Sequence, residues 1–223
     1  MVKKLRLGVL ASGNGTDMQS IIDASTKGMI DAEVTVVVSD KKDAFALKRA
    51  IKHNIPTFFV DPRRKTREQH EDEIHTVLLE QKIDLVVGAG YMRILTPGFI
   101  KKWKGKLINI HPALLPSFKG TNGQGDALNY GVKITGCTTH FMDEEMDHGP
   151  IILQAAVQVL DHDTRDSLAA RILEVEHQLL PRTIQLIAEH RVRLKGRRVQ
   201  ILPGESWQGR YPLHPNVLYC EGY

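Results

Sequence analysis

Apolar positions in the first half of the chain follow two alternating periods. Leu5-Arg6-Leu7-Gly8-Val9-Leu10 predicts a strand, a glycine loop follows, and Met18 to Ala24 reads as helix. Val34-Thr35-Val36-Val37-Val38 is a β-branched run of the kind found in buried parallel strands. Ala44 to His53 is helical, and Thr57 to Val60 is a short strand after Pro56. Ile74, Val77 and Leu78 recur at helical spacing within Arg67 to Gln81. Asp84 to Gly88 and Leu107 to His111 are two further strands, the second stopped by Pro112. Strands separated by helices imply βαβ units and a mainly parallel sheet.

The second half reads differently. Ile134 to Met142 and Ile151 to Val159 predict two strands, an antiparallel addition to the sheet. Thr164 to Ala188 predicts a long helix with Leu168, Ile172, Val175, Leu179, Ile184 and Ile187 along its apolar side. Pro181 is expected to break or kink it, since proline lacks the N–H that the helix needs. The stretch after Arg198 is rich in glycine and proline and reads as a tail packed loosely on the surface. The fold class is therefore α/β: a mainly parallel open sheet flanked by helices, Rossmann-like in its N-terminal half, with an antiparallel addition in its C-terminal half.

Composition narrows the function. Of 223 residues, 42% are hydrophobic and 25% charged, the balance of a globular protein rather than a disordered one. No apolar run approaches the roughly 20 residues of a membrane span. Met1 to Leu7 starts like a signal segment, but Gly8, Ser12, Gly13, Asn14 and Gly15 interrupt it, so a cytoplasmic protein without membrane contact is expected. Two cysteines, Cys137 and Cys220, exclude a disulfide framework, and Cys137 reads as a small buried strand residue. His70 and His75 are five apart and do not share a helix face, so no metal is expected. Trp103 and Trp207 read as packing anchors. The net charge of +4 is dispersed, which suits anionic small molecules and does not indicate nucleic acid.

In open parallel sheets ligands bind beyond the carboxyl ends of the strands. Three unusual loops stand there: Ser12 to Thr16, Gly88 to Arg93, and Asn109 to Pro112. The first is a candidate phosphate cradle, with glycines for close approach and a helix start for an anion. Thr16 and Gln19 fit a capping box with Thr16 as N-cap; the plainer reading is a glycine turn before a capped helix. The pattern Gly13-x-Gly15-x-x-Met18 lacks the third glycine of a dinucleotide fingerprint, although Asp40 stands where a ribose-binding acid would, leaving a weak dehydrogenase alternative. Asn109 and His111 lie two apart on a strand and share a face. An amide donor beside an imidazole can hold an oxyanion and move a proton; the competing reading is a polar strand end with His111 bonded into the core. Asp147, before His148-Gly149-Pro150, reads either as a turn residue or as a carboxylate that stabilises the imidazolium of His111.

These segments together resemble a known family. Ala11-Ser12-Gly13-Asn14-Gly15-Thr16, Ala89-Gly90-Tyr91-Met92-Arg93-Ile94-Leu95, Asn109-Ile110-His111-Pro112-Ala113-Leu114-Leu115-Pro116 and Met146-Asp147-His148-Gly149-Pro150-Ile151 look like the phosphoribosylglycinamide formyltransferases, within the folate-dependent formyltransferases. The resemblance runs from about Leu5 to Pro181. It implies one formyltransferase domain over residues 1–223: a phosphate-binding half of about 1–100, a formyl-folate and catalytic half of about 101–200, and a surface tail to 223. It implies 10-formyltetrahydrofolate as co-substrate without a metal, small-molecule substrates, and a monomer or homodimer. Residue by residue it implies that Gly15, Thr16 and Asp17 hold the substrate phosphate and that Glu176 holds its ribose. Arg67, Met92, Arg93, Ile94, Leu95 and Asn109 would hold the folate. His111 would be the general acid/base, Asn109 the group at the formyl, and Asp147 the partner that raises the pKa of His111. Methionyl-tRNA formyltransferase and formyltetrahydrofolate deformylase share the central motif, but carry additional domains for which this chain has no room. Hydrolysis of the formyl-folate stays as the alternative activity, and a binding module without catalysis as the alternative class. Two departures stand out. Ser117 to Gly125 replaces a Pro-Gly and histidine-containing stretch and is expected to be a mobile loop. Asp17 stands where several relatives carry Asn.

Overall fold

The computed structural model describes residues 3–204 and 217–220. Trp207 lies outside the described residues. The first strand, β1 (Leu5–Leu10), pairs in parallel with β2 (Ala32–Ser39) on one side and with β4 (Leu85–Gly88) on the other. β3 (Thr57–Phe59) extends the sheet beyond β2, and β5 (Leu107–His111) lies parallel to β4. From β5 the direction reverses: β6 (Ile134–Phe141) and β7 (Ile151–Gln158) add antiparallel strands. The two patterns read from the sequence therefore meet at the β5–β6 seam. The chain first steps from β1 outward to β3, then crosses back to β4, so the switch point lies between β1 and β4.

Strand residues alternate between two layers. Leu7 and Val9 of β1, Val37 of β2 and Val87 of β4 join one core cluster; Leu10, Val38 and Val86 join the other. The first layer is closed by α1 (Thr16–Thr26), α2 (Phe45–Lys52) and α6 (Arg165–Ala188). The second is closed by α3 (Arg67–Glu80) and α4 (Pro97–Lys102), with Trp103 buried beside α4. Thr96 N-caps α4 with Pro97 in its first turn, a start signal that the strand-and-helix periodicity passed over because the helix is six residues long. Among the described residues no helix is long and apolar enough to cross a membrane.

Three expectations are corrected. α6 runs unbroken through Pro181: Leu179 to Leu186 are buried around it, and that packing offsets the missing helix bond. Described residues of the tail join sheets, since Val217–Tyr219 forms β10 against β7, and Arg198–Ile201 forms β9 against β8 (Val192–Lys195). The glycine-rich stretch is in part helical, because α5 spans Gly123–Tyr130. A Cβ on Gly123 would stand 3.3 Å from both Ala113 Cβ and Pro112 O, so the missing side chain lets α5 start against the turn that follows His111. Gly125 lies against the side chain of Asn122, with 2.5 Å between its ideal Cβ and Oδ1.

Candidate active site

The turn between β1 and α1 is built by glycine and by α2. Gly15, at φ 69°, is the N-cap of α1, and no side chain caps this helix. This corrects the expected capping box: Thr16 is the first helical residue, Asp17 the second, and the Gln19 amide bonds Asp23 instead. The backbone N–H groups of the first turn are thereby left to an incoming acceptor. A Cβ on Gly15 would stand 2.6 Å from Ala46 Cβ and 2.8 Å from its Cα. Gly15→Ala is therefore expected to destabilise the protein by at least about 1–2 kcal/mol, the left-handed cost alone; an unchanged thermal midpoint would contradict this packing. Arg49 of α2 donates from Nε to the Asn14 carbonyl at 2.9 Å and stacks over Phe45. It brings a cation to the turn and was not singled out from the sequence; the signal was Lys48, Arg49 and Lys52 on a helix following the glycine loop.

At the sheet's carboxyl edge Leu10, Gly88 and Asn109 stand in register on β1, β4 and β5. Antiparallel pairing places His140 of β6 directly opposite Asn109. The His140 ring is buried and its Nδ1–H donates to the Phe141 carbonyl at 2.9 Å. Its Nε2 is then an acceptor, and Asn109 Nδ2 stands 3.4 Å from it. Burial pushes the His140 pKa down, which favours this neutral ring. The second N–H of Asn109 is left for the cleft. His140 was missed in the sequence because only the strand register brings it to Asn109.

His111 is buried, and an oxygen faces each ring nitrogen. Nε2–H donates to the Phe118 carbonyl at 2.8 Å, and Nδ1 lies 3.4 Å from Asp147 Oδ2. Asp147 Oδ1 lies 3.8 Å from His140 Nε2, and Gly120 N–H donates to Asp147 Oδ2 at 2.8 Å. Asp147 sits at φ 48° in the turn before Gly149-Pro150, and its carboxylate faces His111.

The loop after β4 is fixed from two sides. Ser12 takes the Met92 N–H at 2.9 Å and donates its own hydroxyl to Asp40 at 2.6 Å. Asp40 is thus engaged by Ser12. Arg67 lies behind the loop and donates to the Ile94 carbonyl at 2.5 Å. Glu71, buried in α3, accepts the Thr96 N–H at 2.9 Å and the Thr96 hydroxyl. Met92 and Ile94 are left 59% exposed, whereas Leu95 is drawn into the core. Glu71→Ala is expected to leave Thr96 unanchored and to raise the KM of a substrate that packs on this loop about tenfold, the equivalent of one hydrogen bond to a charged group. An unchanged KM would dismiss the anchor.

Asn109, His111 and Asp147 line one cleft of about 280 Å³ with Asp17, Glu176 and the Met92-Arg93-Ile94-Leu95 loop. Burial lifts the Asp17 carboxyl to about 6, and burial with the nearby Asp17 charge lifts Glu176 well above its usual range. Gly15 and Thr16 shape the adjoining turn, and Arg67 reaches the cleft only through the loop backbone. Among the described residues no three His, Cys, Asp or Glu side chains group as a metal site would require.

A family model described as Formyl transferase matches residues 5–184. The chain belongs to the formyl transferase family. It is 41% identical over 191 residues to a phosphoribosylglycinamide formyltransferase of Haemophilus influenzae, covering 85% of this chain and 90% of that one. It is 44% identical over 196 residues to the trifunctional purine biosynthetic protein adenosine-3 of Chironomus tentans, and there it spans 86% of this chain but 14% of the larger protein. The crystal structure of glycinamide ribonucleotide transformylase 1 from Symbiobacterium toebii superposes with a TM-score of 0.89 at 43% identity, over 91% of this chain and 96% of that one. The formyl transferase sheet, with its parallel half and antiparallel addition, is the architecture anticipated from the sequence.

Proposed function

We propose that this formyl transferase moves the formyl group of 10-formyltetrahydrofolate to the amine of 5′-phosphoribosylglycinamide, giving the N-formyl product and tetrahydrofolate in purine synthesis. One observation carries the reading: Asn109, His111 and Asp147 share a single cleft with Asp17 and Glu176 and with the loop of Met92, Ile94 and Leu95. The amine attacks the formyl carbon directly. Charge develops on the formyl oxygen, where the free N–H of Asn109 and the His111 ring are placed to meet it. His111 takes the proton that the attacking amine loses and delivers one to the departing folate nitrogen, while Asp147 holds its Nδ1 side. For Nε2 to act, the Phe118 carbonyl must give way to substrate. Met92 and Ile94 offer the apolar surface that a flat pterin needs, and Arg67 and Arg93 belong to the same loop assembly. Gly15, Thr16 and Asp17 hold the phosphate by backbone N–H groups, and Glu176 reaches the ribose.

Hydrolysis of the formyl-folate needs the same three residues but no phosphate turn. The uncapped start of α1 with Arg49 beside it supports transfer over hydrolysis. Release of tetrahydrofolate, followed spectrophotometrically with and without the ribonucleotide, decides. Release that depends on ribonucleotide supports transfer; equal release without it makes the protein a hydrolase.

A further inference from the structure

Asp40 stands where a dinucleotide fold would place a ribose-binding acid, and formyl transfer as derived above makes no use of it. Its carboxylate instead accepts the Ser12 hydroxyl at 2.6 Å. That donation fixes the hydroxyl rotor and leaves the oxygen's lone pairs for another donor, the Met92 N–H at 2.9 Å. The Ser12 N–H donates in turn to the Gly90 carbonyl at 3.0 Å. Ser12 follows β1, Asp40 follows β2, and Gly90 and Met92 lie in the loop after β4. One hydroxyl therefore joins the carboxyl ends of three neighbouring strands at the switch point. From there the turn runs toward α2: the Gly13 carbonyl accepts the Ala46 N–H at 3.0 Å, and Gly15 packs on Ala46. Among the described residues no further hydrogen bond joins this turn to the Met92 loop. Ser12 is 3% exposed, so it acts on a ligand only through these partners.

We propose that Ser12, locked by Asp40, is a positioning residue that sets the spacing between the two substrate-holding loops. This rests on the reading of the cleft as a site for both a ribonucleotide and a formyl-folate. Direct transfer brings an amine held from the α1 side against a formyl carbon held from the Met92 side. Such a step is sensitive to small displacements, with about 10²-fold in rate for a shift of about 1 Å. Each loop keeps supports of its own without the Ser12 hydroxyl. Arg67 and Glu71 hold the Met92 loop from α3 through Ile94 and Thr96, and α2 holds the glycine turn. Each substrate therefore still binds when the hydroxyl is removed. What is lost is their alignment, which enters the rate and not the separate affinities. Asp40 acts through the hydroxyl: without the carboxylate the rotor is free and the hold on Met92 weakens.

The test measures single-turnover formyl transfer, and the Kd of 5′-phosphoribosylglycinamide and of tetrahydrofolate each alone, for the full chain, Ser12→Ala, Asp40→Ala and the double variant. Ser12→Ala is expected to lower the transfer rate about 10–10²-fold while each Kd moves less than about threefold, the split that separates lost alignment from lost binding. Asp40→Ala should lose a smaller part of the rate. The double variant should be no slower than Ser12→Ala, because the two side chains act as one unit. A wild-type rate in Ser12→Ala overturns the proposal. So does a rate loss matched by an equal rise in either Kd, the result of a merely structural bond, and so do losses that add in the double variant. If Ser12→Ala does not fold, a wild-type rate in Asp40→Ala overturns it equally. Equal release of tetrahydrofolate by the wild-type chain with and without ribonucleotide removes the two-substrate reading beneath it, a failure seen before any variant is made.

Discussion

His111→Ala should lower kcat by about 10²–10⁴, the usual span for removing a positioned acid/base group. Ribonucleotide binding should stay nearly intact, because the ring's partners are Phe118 and Asp147 rather than the glycine turn or Glu176. The geometry makes His111 hard to replace. It is 3% exposed, its Nδ1 faces Asp147 at 3.4 Å, and its Nε2 faces the Phe118 carbonyl at 2.8 Å. Single-turnover kinetics on the purified variant, with Kd measured in parallel, separates chemistry from binding. Near-wild-type turnover would remove His111 from the mechanism.

Asn109→Asp should be nearly as severe, with kcat down by about 10³, the upper range for losing one oxyanion donor. The substitution keeps shape and changes chemistry. It removes both N–H groups, sets a negative charge where the formyl oxygen gains its own, and confronts the acceptor nitrogen of His140, now 3.4 Å from the amide. Asn109→Ala should lose less, about 10², since it removes the donor without adding the charge. Turnover of the Asp variant equal to or above that of the Ala variant would show that the amide is not the oxyanion donor.

Much of this was legible in the residues. The parallel strands announced themselves as short apolar runs, and the spacing of Asn109 and His111 placed both on one face of β5. Pro112 after His111 marked where the strand stops and the chain turns into the cleft. What stayed hidden depends on partners far along the chain. His140 sits in Thr138-Thr139-His140-Phe141, which reads as an ordinary strand until the antiparallel register sets it against Asn109. Arg49 looks like surface charge until α2 folds back on the glycine turn. Gly123 and Gly125 suggest a loose loop because propensity counts against glycine in helices, and tertiary packing overrides it here. Thr16 and Gln19 carry a capping signature, but the left-handed Gly15 takes the cap position first.

Gly88 sets the last constraint. It is buried at the carboxyl end of β4, and an ideal Cβ there would lie 2.7 Å from Asn109 Oδ1. A glycine within a strand usually weakens packing; this one makes room for the amide on the next strand. Positions 88 and 109 are thus sterically matched: a methyl group at 88 displaces the carboxamide from its place. Variation at the two positions should be coupled, with an intact amide found opposite glycine, so that a residue carrying no functional group limits which chemistry the neighbouring strand can present.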